Sequence, residues 1–220
     1  MQLKVIITGA TGMVGEGVLQ ECLQNTAVEK VLLVNRKPSG VSHPKVEEII
    51  HGDFNDITAI ADRLKGYNAC FFCAGVSSVG MKEEKYTAVT YTLTIHFAEQ
   101  LAAINPDMTF CYVSGAGTDS SGKGRLMWAR VKGRTENDLM RLSFKGVYNF
   151  RPAFMKSFKG AKNTPGIYAI LMPFYPFFRW LMPKYFITLS ELGKAMISVS
   201  QKGYDKKVLE VPDIVNLAAN

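Results

Sequence analysis

The chain has 220 residues, of which 47% are hydrophobic and 20% are charged, proportions that are ordinary for a soluble globular protein. This length suits one domain with a sizeable core, alone or with a small additional lobe. The formal net charge of +7 would allow nucleic-acid binding, but the sequence contains no base-reading motif and no aromatic platform for RNA, so we expect no nucleic-acid partner.

The first predicted element is an apolar strand at residues 3–7, of the kind that is buried on both faces in a parallel sheet. Three glycines follow at GxxGxxG spacing and lead into a helical pattern. Such glycines allow a tight turn, a close approach of the backbone to a pyrophosphate, and packing of the helix against the strand. The free N–H groups that begin the helix then face the phosphates. The predicted dinucleotide-binding residues of this stretch are Gly9, Thr11, Gly12, Met13, Val14 and Gly15.

Strand-like and helix-like runs alternate along the rest of the chain. Further strands are predicted at residues 31–34, 46–50, 69–73, 108–113 and 147–150, with helices at 82–103, 126–142 and 190–200. This alternation implies crossover connections and therefore an α/β fold with a doubly wound parallel sheet. We expect one NAD(P)-binding Rossmann domain over residues 1–220.

The residues after the second strand indicate which dinucleotide is bound. An acidic side chain there would accept hydrogen bonds from both ribose hydroxyls and repel a 2′-phosphate, whereas this chain has Asn35, Arg36 and Lys37. The two cations favour NADP(H), with the planar fork of Arg36 on the phosphate, unless both are ordinary loop charges. After the third strand, Asp53 and Phe54 would flank the adenine, although Asp53 could instead cap the next helix.

The four cysteines lie within predicted helices and strands. Cys70 and Cys73 are three residues apart on a strand and point to opposite faces, which argues against a shared metal ion. We interpret the cysteines as reduced core thiols of a cytoplasmic protein, and a strand beginning at residue 3 leaves no room for a signal peptide. Where the fourth strand ends, Cys73, Ala74 and Gly75 are small enough to let the backbone pass the cofactor.

The composition changes after Pro152. Residues 164–187 are rich in aromatic residues and methionine and contain four prolines. Their apolar part is too short and too broken by proline to span a membrane. We predict a substrate-side lid or pocket wall within residues 153–190. A dimer surface, or a peripheral membrane contact through residues 167–187, is the alternative.

Four short motifs are shared with one protein superfamily: TGATGMVG near the start, Gly52-Asp53-Phe54, Tyr112-Val113-Ser114, and Lys132 within WARVKGRTE. Together they resemble an atypical short-chain dehydrogenase/reductase. Within that superfamily the chain is similar to the group of the Tat-interacting tumour-suppressor oxidoreductase, over nearly its whole length. The resemblance implies that Lys132 binds the nicotinamide ribose and that Arg151, Pro152 and Ala153 line the nicotinamide side.

One catalytic position departs from this family. The family places a tyrosine four residues before the lysine, on one helix face, with a serine or threonine after the fifth strand. Here Ser114 and Lys132 are present, but Trp128 stands at the tyrosine's position. An indole N–H donates a hydrogen bond but cannot serve as an acid or a base. Tyr112 and Thr118 are the remaining hydroxyl candidates.

Two interpretations of this departure stay open. In the first, the chain is an NADP(H)-dependent oxidoreductase that reduces a hydrophobic small-molecule acceptor and takes its proton from Ser114 or from water. In the second, it is a non-catalytic NADP(H)-binding regulatory or interaction protein. An epimerase or dehydratase would need an acid–base group that the sequence does not reveal, because Glu99 and Glu136 have no evident carboxylate partner.

Overall fold

Seven strands form one parallel sheet in a computed structural model, which describes residues 2–158, 160–163 and 175–219. The strands are Leu3–Thr8 (β1), Val28–Asn35 (β2), Val46–Ile50 (β3), Ala69–Phe72 (β4), Thr109–Val113 (β5), Gly146–Arg151 (β6) and Val208–Glu210 (β9). Their order across the sheet is β3-β2-β1-β4-β5-β6-β9. The direction of the order reverses between β1 and β4, and doubly wound sheets bind ligands at that point.

The helices cover both faces of this sheet. They are Met13–Gln24 (α1), Ala61–Leu64 (α2), Glu83–Thr87 (α3), Leu93–Ile104 (α4), Met127–Leu139 (α5), Tyr175–Leu181 (α6), Leu189–Lys202 (α7) and Val211–Ala219 (α8). A π-helical turn, Ala88–Thr92, joins α3 to α4. A separate two-stranded parallel sheet pairs Phe154–Lys156 (β7) with Phe186–Thr188 (β8).

Alternating side chains of the central strands supply two hydrophobic cores, one on each face of the sheet. Val5 and Ile7 pack with α1, α7 and α8, whereas Ile6 packs with α4 through Phe97 and Leu101. Strands buried in this way read as continuous apolar runs, because both faces must be hydrophobic. Cys70 and Cys73 contact opposite cores, as their spacing predicts.

The close packing of α7 on α1 depends on two glycines. A Cβ added at Gly193 would lie 2.7 Å from the Cβ of Glu21, and one at Gly17 would lie 2.5 Å from the Cβ of Leu189. The start of α7 is fixed by a capping box, in which Thr188 and Glu191 satisfy each other's backbone N–H groups. This packing holds the C-terminal part of the chain against the glycine-rich end of the sheet.

The predicted α/β fold with a doubly wound parallel sheet is confirmed, and the differences lie in short or irregular elements. The predicted helix 82–103 is interrupted by the π-helical turn, and α5 ends at Leu139 rather than at residue 142. Beyond Leu139 the chain tightens into i→i+3 turns, in which Arg141 N–H bonds to the Asp138 carbonyl at 3.1 Å. Strands β7, β8 and β9 have three residues each, which is too short for a periodic pattern to show.

Candidate functional site

A cleft of about 510 Å³ lies at the carboxyl ends of β1, β2 and β4, where the strand order reverses. Val76, Val89 and Leu93 add an apolar wall that the sequence analysis did not find, since two of them lie on the helical segment after β4. The other lining residues were all predicted to bind the cofactor: Gly9, Thr11, Gly12, Asn35, Arg36, Lys37, Phe54, Cys73, Ala74 and Gly75.

The glycine loop is shaped to leave room for an anion. A Cβ at Gly15 would lie 2.2 Å from the carbonyl oxygen of Gly9, and one at Gly9 would lie 2.7 Å from the backbone of Ala74. A Cβ at Gly12 would meet nothing closer than 3.5 Å. Gly12 also gives the start of α1 no side-chain cap, so the N–H groups of Met13 and Val14 keep their capacity for a ligand. These features fit a pyrophosphate at the start of α1.

The buried amide of Asn35 holds the glycine loop against β3. Its Oδ1 accepts from Ala10 N–H at 3.2 Å, and its Nδ2 donates to Glu48 Oε1 at 2.9 Å. The same Glu48 oxygen accepts from Ser39 N–H at 2.9 Å. The carboxylate of Glu48 is thus bonded to the segment at the end of β2. Asn35 lines the cleft, but its polar atoms bind protein groups.

Arg36 and Lys37 are exposed at the rim of this cleft. Among the residues that the structure describes, neither side chain forms an ion pair or a hydrogen bond. Lys30 on the same strand differs, because it pairs with Glu47 at 2.8 Å. The cleft therefore has two unneutralised positive charges at the end of β2.

The segment after β3 contributes an apolar wall to the cleft. Phe54 is buried and stacks on Phe97 with 5.4 Å between ring centroids. Asp53 Oδ1 accepts from Asn55 N–H at 2.9 Å, whereas Asp56 accepts from Thr58 N–H at the start of the next helical turn. Asp53 therefore closes a local turn and does not cap that helix, which leaves its predicted contact with adenine as a prediction.

The Cys73 thiol lines the cleft without being reactive. Burial raises its pKa to about 12, so the nucleophilic thiolate is scarce at neutral pH. Across the residues described, no group of three or more His, Cys, Asp or Glu side chains could hold a metal ion.

A second cluster of polar residues lies at the carboxyl end of β5, the neighbour of β4. Lys132 on α5 donates from Nζ to the carbonyl oxygen of Ser114. The hydroxyl of Ser114 lies 2.5 Å from Glu136 Oε1 and 3.1 Å from the carbonyl oxygen of Phe150. Ser114 is buried, and its hydroxyl donates a hydrogen bond to the Glu136 carboxylate. The serine is thus committed to the protein interior.

The centre of this cluster is Glu136, which the sequence analysis did not assign to the site. It has no exposed surface, and its carboxylate accepts from Arg151 Nε at 3.0 Å and Nη2 at 2.5 Å. Arg151 also reaches Glu210 at 3.1 Å and Ser120 Oγ at 2.5 Å. The pair joins α5 to β6 and β9. In the sequence, Glu136 is indicated only by its position four residues after Lys132, which places both on one side of the predicted helix.

The residues expected to line the nicotinamide side have unequal access to it. The Arg151 guanidinium is occupied by the partners just described. Pro152 is buried, and its carbonyl oxygen accepts from Ala116 N–H at 2.8 Å, while Ala153 is partly exposed. Arg151 therefore stabilises the end of β6 through buried ion pairing, and its predicted contact with the cofactor would have to come from its backbone or stem.

The proton-transfer candidates near β5 differ in their chemistry. Burial lowers the pKa of Lys132 to about 8, against the opposing effect of the negative charge of Glu136. Burial raises the pKa of Tyr112 far above its usual range, and Thr118 Oγ1 donates to the Gly115 carbonyl at 2.7 Å. Trp128 is half-buried beside Gly117, where an added Cβ would lie 3.5 Å from the indole ring. Lys132 is the one group of this set whose pKa lies near neutrality.

The predicted lid, residues 153–190, falls only partly within the described residues. Strands β7 and β8 and helix α6 belong to it, whereas residues 164–174 lie outside the described ranges. The predicted lid is bonded to the first turn of α1. There the Glu16 carboxylate accepts from the N–H groups of Lys162 and Asn163 at 2.8 and 2.9 Å.

Comparisons with known proteins identify similar sequences and a similar fold. A family profile described as the NAD dependent epimerase/dehydratase family matches residues 5–121. Leucinostatins biosynthesis cluster protein T from Purpureocillium lilacinum is 31% identical over 145 residues, and the match covers 64% of this chain but only 52% of that protein. The chain thus spans about half of that relative's length. HTATIP2 from Rattus norvegicus is 25% identical over 191 residues, 85% of this chain and 72% of that protein.

A solved structure shows the same fold. The Bordetella bronchiseptica enzyme WbmF, determined in complex with NAD+, superposes with a TM-score of 0.69 at 15% identity, over 99% of this chain and 77% of that one. The likeness extends beyond the profile match to the C-terminal part of the chain. Together with HTATIP2, it confirms the resemblance to atypical short-chain dehydrogenase/reductases that the sequence motifs predict.

One relative overturns the predicted location. FMP52-1 from Scheffersomyces stipitis, 25% identical over 155 residues (70% of this chain, 67% of that protein), is named a mitochondrial protein. The prediction of a cytoplasmic protein is therefore wrong. It rested on reduced thiols, and although all four cysteines are free, buried thiols do not distinguish one reducing compartment from another.

Proposed function

The chain belongs to the NAD dependent epimerase/dehydratase family, and on that premise we propose that it is an NADP(H)-dependent oxidoreductase acting on a hydrophobic small-molecule acceptor. The observation that carries the proposal is the cleft at the β1–β4 reversal. The glycine cradle forms one side, and Arg36 and Lys37, which have no partner in the part of the chain that the structure describes, lie at its rim. Gly12 and the first turn of α1 would hold the pyrophosphate.

Selection of NADP(H) over NAD(H) rests on charge at the end of β2. A 2′-phosphate brought to this rim would meet two cations, and the carboxylate of Glu48 is already bonded to Asn35 and Ser39. The planar guanidinium of Arg36 can bind phosphate oxygens with two parallel hydrogen bonds. An NAD(H)-selective site would instead place a free carboxylate here.

When bound, the nicotinamide supplies or accepts a hydride, and the protein must move the accompanying proton. Ser114 is a poor source, because its hydroxyl is buried and bonded to Glu136. Trp128 has no accessible ionisation. Lys132 remains, since burial brings its pKa to about 8 and, within the described parts of the chain, its ammonium has one hydrogen-bond partner, the Ser114 carbonyl. We assign Lys132 the role of proton donor in addition to ribose binding.

The test of this function is consumption of NADPH. Purified protein with a panel of quinones, flavins and aldehydes is expected to oxidise NADPH, followed by nicotinamide absorbance, only when an acceptor is present. The matched control is Gly15→Ala, whose Cβ would collide with the Gly9 carbonyl and deform the phosphate cradle. Turnover that persists unchanged in Gly15→Ala would contradict this site as its source.

The role of Lys132 predicts a pH dependence. For acceptor reduction the ammonium form is required, so the rate should fall as the pH rises through about 8. Lys132→Arg keeps the positive charge but cannot release a proton near neutrality, so turnover should fall roughly 100-fold or more and lose this pH dependence. Calorimetry with NADPH separates lost proton transfer from lost binding. An unchanged pH profile in Lys132→Arg would exclude the lysine as proton donor.

A second function is favoured by the same cluster of residues. Trp128, Ser114 and Tyr112 all lack a usable proton, as expected of a dinucleotide-binding protein that regulates or docks without catalysis. NADPH binding without acceptor-dependent oxidation across the whole panel would support that second function over the first.

A further inference from the structure

Among the described residues, six large hydrophobic side chains at and around helix α6 are exposed. We call them the aromatic face, and Trp180, which is 78% exposed, is the most accessible of them. The set comprises Phe154, Phe177, Trp180, Leu181, Met182 and Tyr185. Soluble proteins seldom expose so many large apolar residues in one place, and such patches mark contact surfaces.

A firm base holds this face outward. On the inner side of α6, Phe178 stacks on Phe186 of β8 with 5.8 Å between ring centroids. Phe154 of β7, a member of the aromatic face, also stacks on Phe186, at 5.1 Å. Arg179 is fixed by two hydrogen bonds to Glu191 of α7, at 2.5 and 2.9 Å. Helix α6 is therefore packed on β8 and α7 through its inner side, and the aromatic face is its outer side.

The segment that carries the aromatic face is basic in sequence, and its Arg179 is paired with Glu191 of α7. From residue 152 to residue 190 the sequence contains no Asp or Glu, but it contains Lys156, Lys159, Lys162, Arg179 and Lys184. Of these, Lys184 is exposed and its ammonium lies 5.2 Å from the centre of the Tyr185 ring, while Lys156 lies 5.0 Å from that of Tyr175. Of these two pairs, that of Lys184 and Tyr185 is exposed, whereas the Tyr175 ring is buried.

We infer that the aromatic face binds the surface of a membrane that contains anionic lipids. Tryptophan and tyrosine prefer the headgroup region, where the ring is apolar and the N–H or O–H stays hydrated. Lysines beside them reach the lipid phosphates while their stems remain among apolar groups. No described helix is long and apolar enough to cross a bilayer, so the contact lies on the surface.

Charge also distinguishes a membrane from a second copy of the chain. In a symmetric dimer through this face, each Lys184 would meet the same basic surface on its partner. With no acidic residue between positions 152 and 190 to pair with them, like charges would be brought together at a cost in free energy. An anionic bilayer complements the same charges, and each basic residue near it strengthens binding.

Sedimentation with sucrose-loaded vesicles tests the inference. The protein should sediment with vesicles of phosphatidylcholine and phosphatidylglycerol at a 7:3 ratio and far less with pure phosphatidylcholine, and added salt should weaken binding. Trp180→Ser should reduce binding. Val79→Ser is the matched control and should not, because Val79 is comparably accessible, at 88% exposed, but belongs to the loop after β4 and not to the aromatic face. Lys184→Glu should weaken binding at least about fivefold.

Matched variants decide between outcomes. Lys123→Glu changes the net charge as Lys184→Glu does, but at an exposed loop position before α5, and should bind almost as wild type. Tryptophan emission in the Trp128→Phe background reports Trp180 alone and should shift to the blue with anionic vesicles. Failure to sediment with either vesicle would overturn the inference. Equal losses of vesicle binding in Lys184→Glu and Lys123→Glu would also overturn it. A protein that does not bind vesicles but forms concentration-dependent dimers, which Trp180→Ser abolishes, would overturn it in favour of a dimer interface.

Discussion

Replacing Arg36 with alanine is expected to weaken NADPH binding about 30- to 150-fold, while NADH binding changes by less than about threefold. The reason is that Arg36 is exposed at the cleft rim, has no hydrogen-bond or ion-pair partner among the described residues, and would contact only the 2′-phosphate that NADH lacks. Charge-assisted hydrogen bonds of this kind contribute about 2–3 kcal/mol. Calorimetric titration with both nucleotides measures the ratio directly.

A control of equal charge isolates the local effect. Arg63→Ala removes one positive charge from the exposed surface of α2 and should leave both affinities unchanged. The thermal midpoint of Arg36→Ala should also match wild type, because within the described ranges Arg36 forms no hydrogen bond or ion pair that the substitution would remove. Equal losses of NADPH and NADH affinity in Arg36→Ala would refute the 2′-phosphate assignment and leave the choice of dinucleotide to other residues.

Glu136→Gln is expected to lower the free energy of unfolding by about 3 kcal/mol, because Arg151, whose side chain is 12% exposed, loses the fully buried carboxylate that neutralises it. Arg151 keeps Glu210, but that partner is half exposed and screened by solvent. For a protein of this size the loss corresponds to a thermal midpoint lower by roughly 6–12 °C. Thermal and denaturant unfolding followed by circular dichroism provide the measurement.

An exposed pair of the same chemistry supplies the comparison. Glu83 bonds to Arg130 at 2.6 Å, yet its side chain is about half exposed, so Glu83→Gln should cost less than about 1 kcal/mol. The double variant Glu136→Met with Arg151→Met should lose less than the sum of the single variants, since no unpaired charge remains. A midpoint within about 2 °C of wild type for Glu136→Gln would contradict a stabilising role of this pair.

Much of the cleft could be predicted from local patterns. The glycine spacing after β1, the cations after β2 and the small residues after β4 each stand at a strand end. In a parallel sheet, the carboxyl ends of successive strands lie at one edge, so the pattern also predicts that these residues meet. Ten predicted residues line one cleft for this reason. Val89 and Leu93 also line the cleft but could not be predicted, because the sequence does not show which apolar residues of a helix border a cavity.

The cluster around Glu136 could not be predicted in the same way. Glu136 bonds to Ser114 and Arg151, and Arg151 bonds in turn to Ser120. These residues come from different parts of the chain, and nothing in their spacing pairs them. Strand β9 has three residues and is held in the sheet by β6, so its identity as a strand depends on a neighbour far away in the sequence. Both are long-range contacts without a local signal.

The sequence by itself determined the α/β architecture, the glycine cradle and the missing tyrosine, because strand and helix periodicity and residue identity are properties of neighbouring positions. Only the tertiary structure decided that Ser114 is sealed against Glu136, that Lys132 loses much of its solvation, and that the aromatic face points outward. Burial and electrostatic pairing depend on which distant segments come together, and folding creates that information.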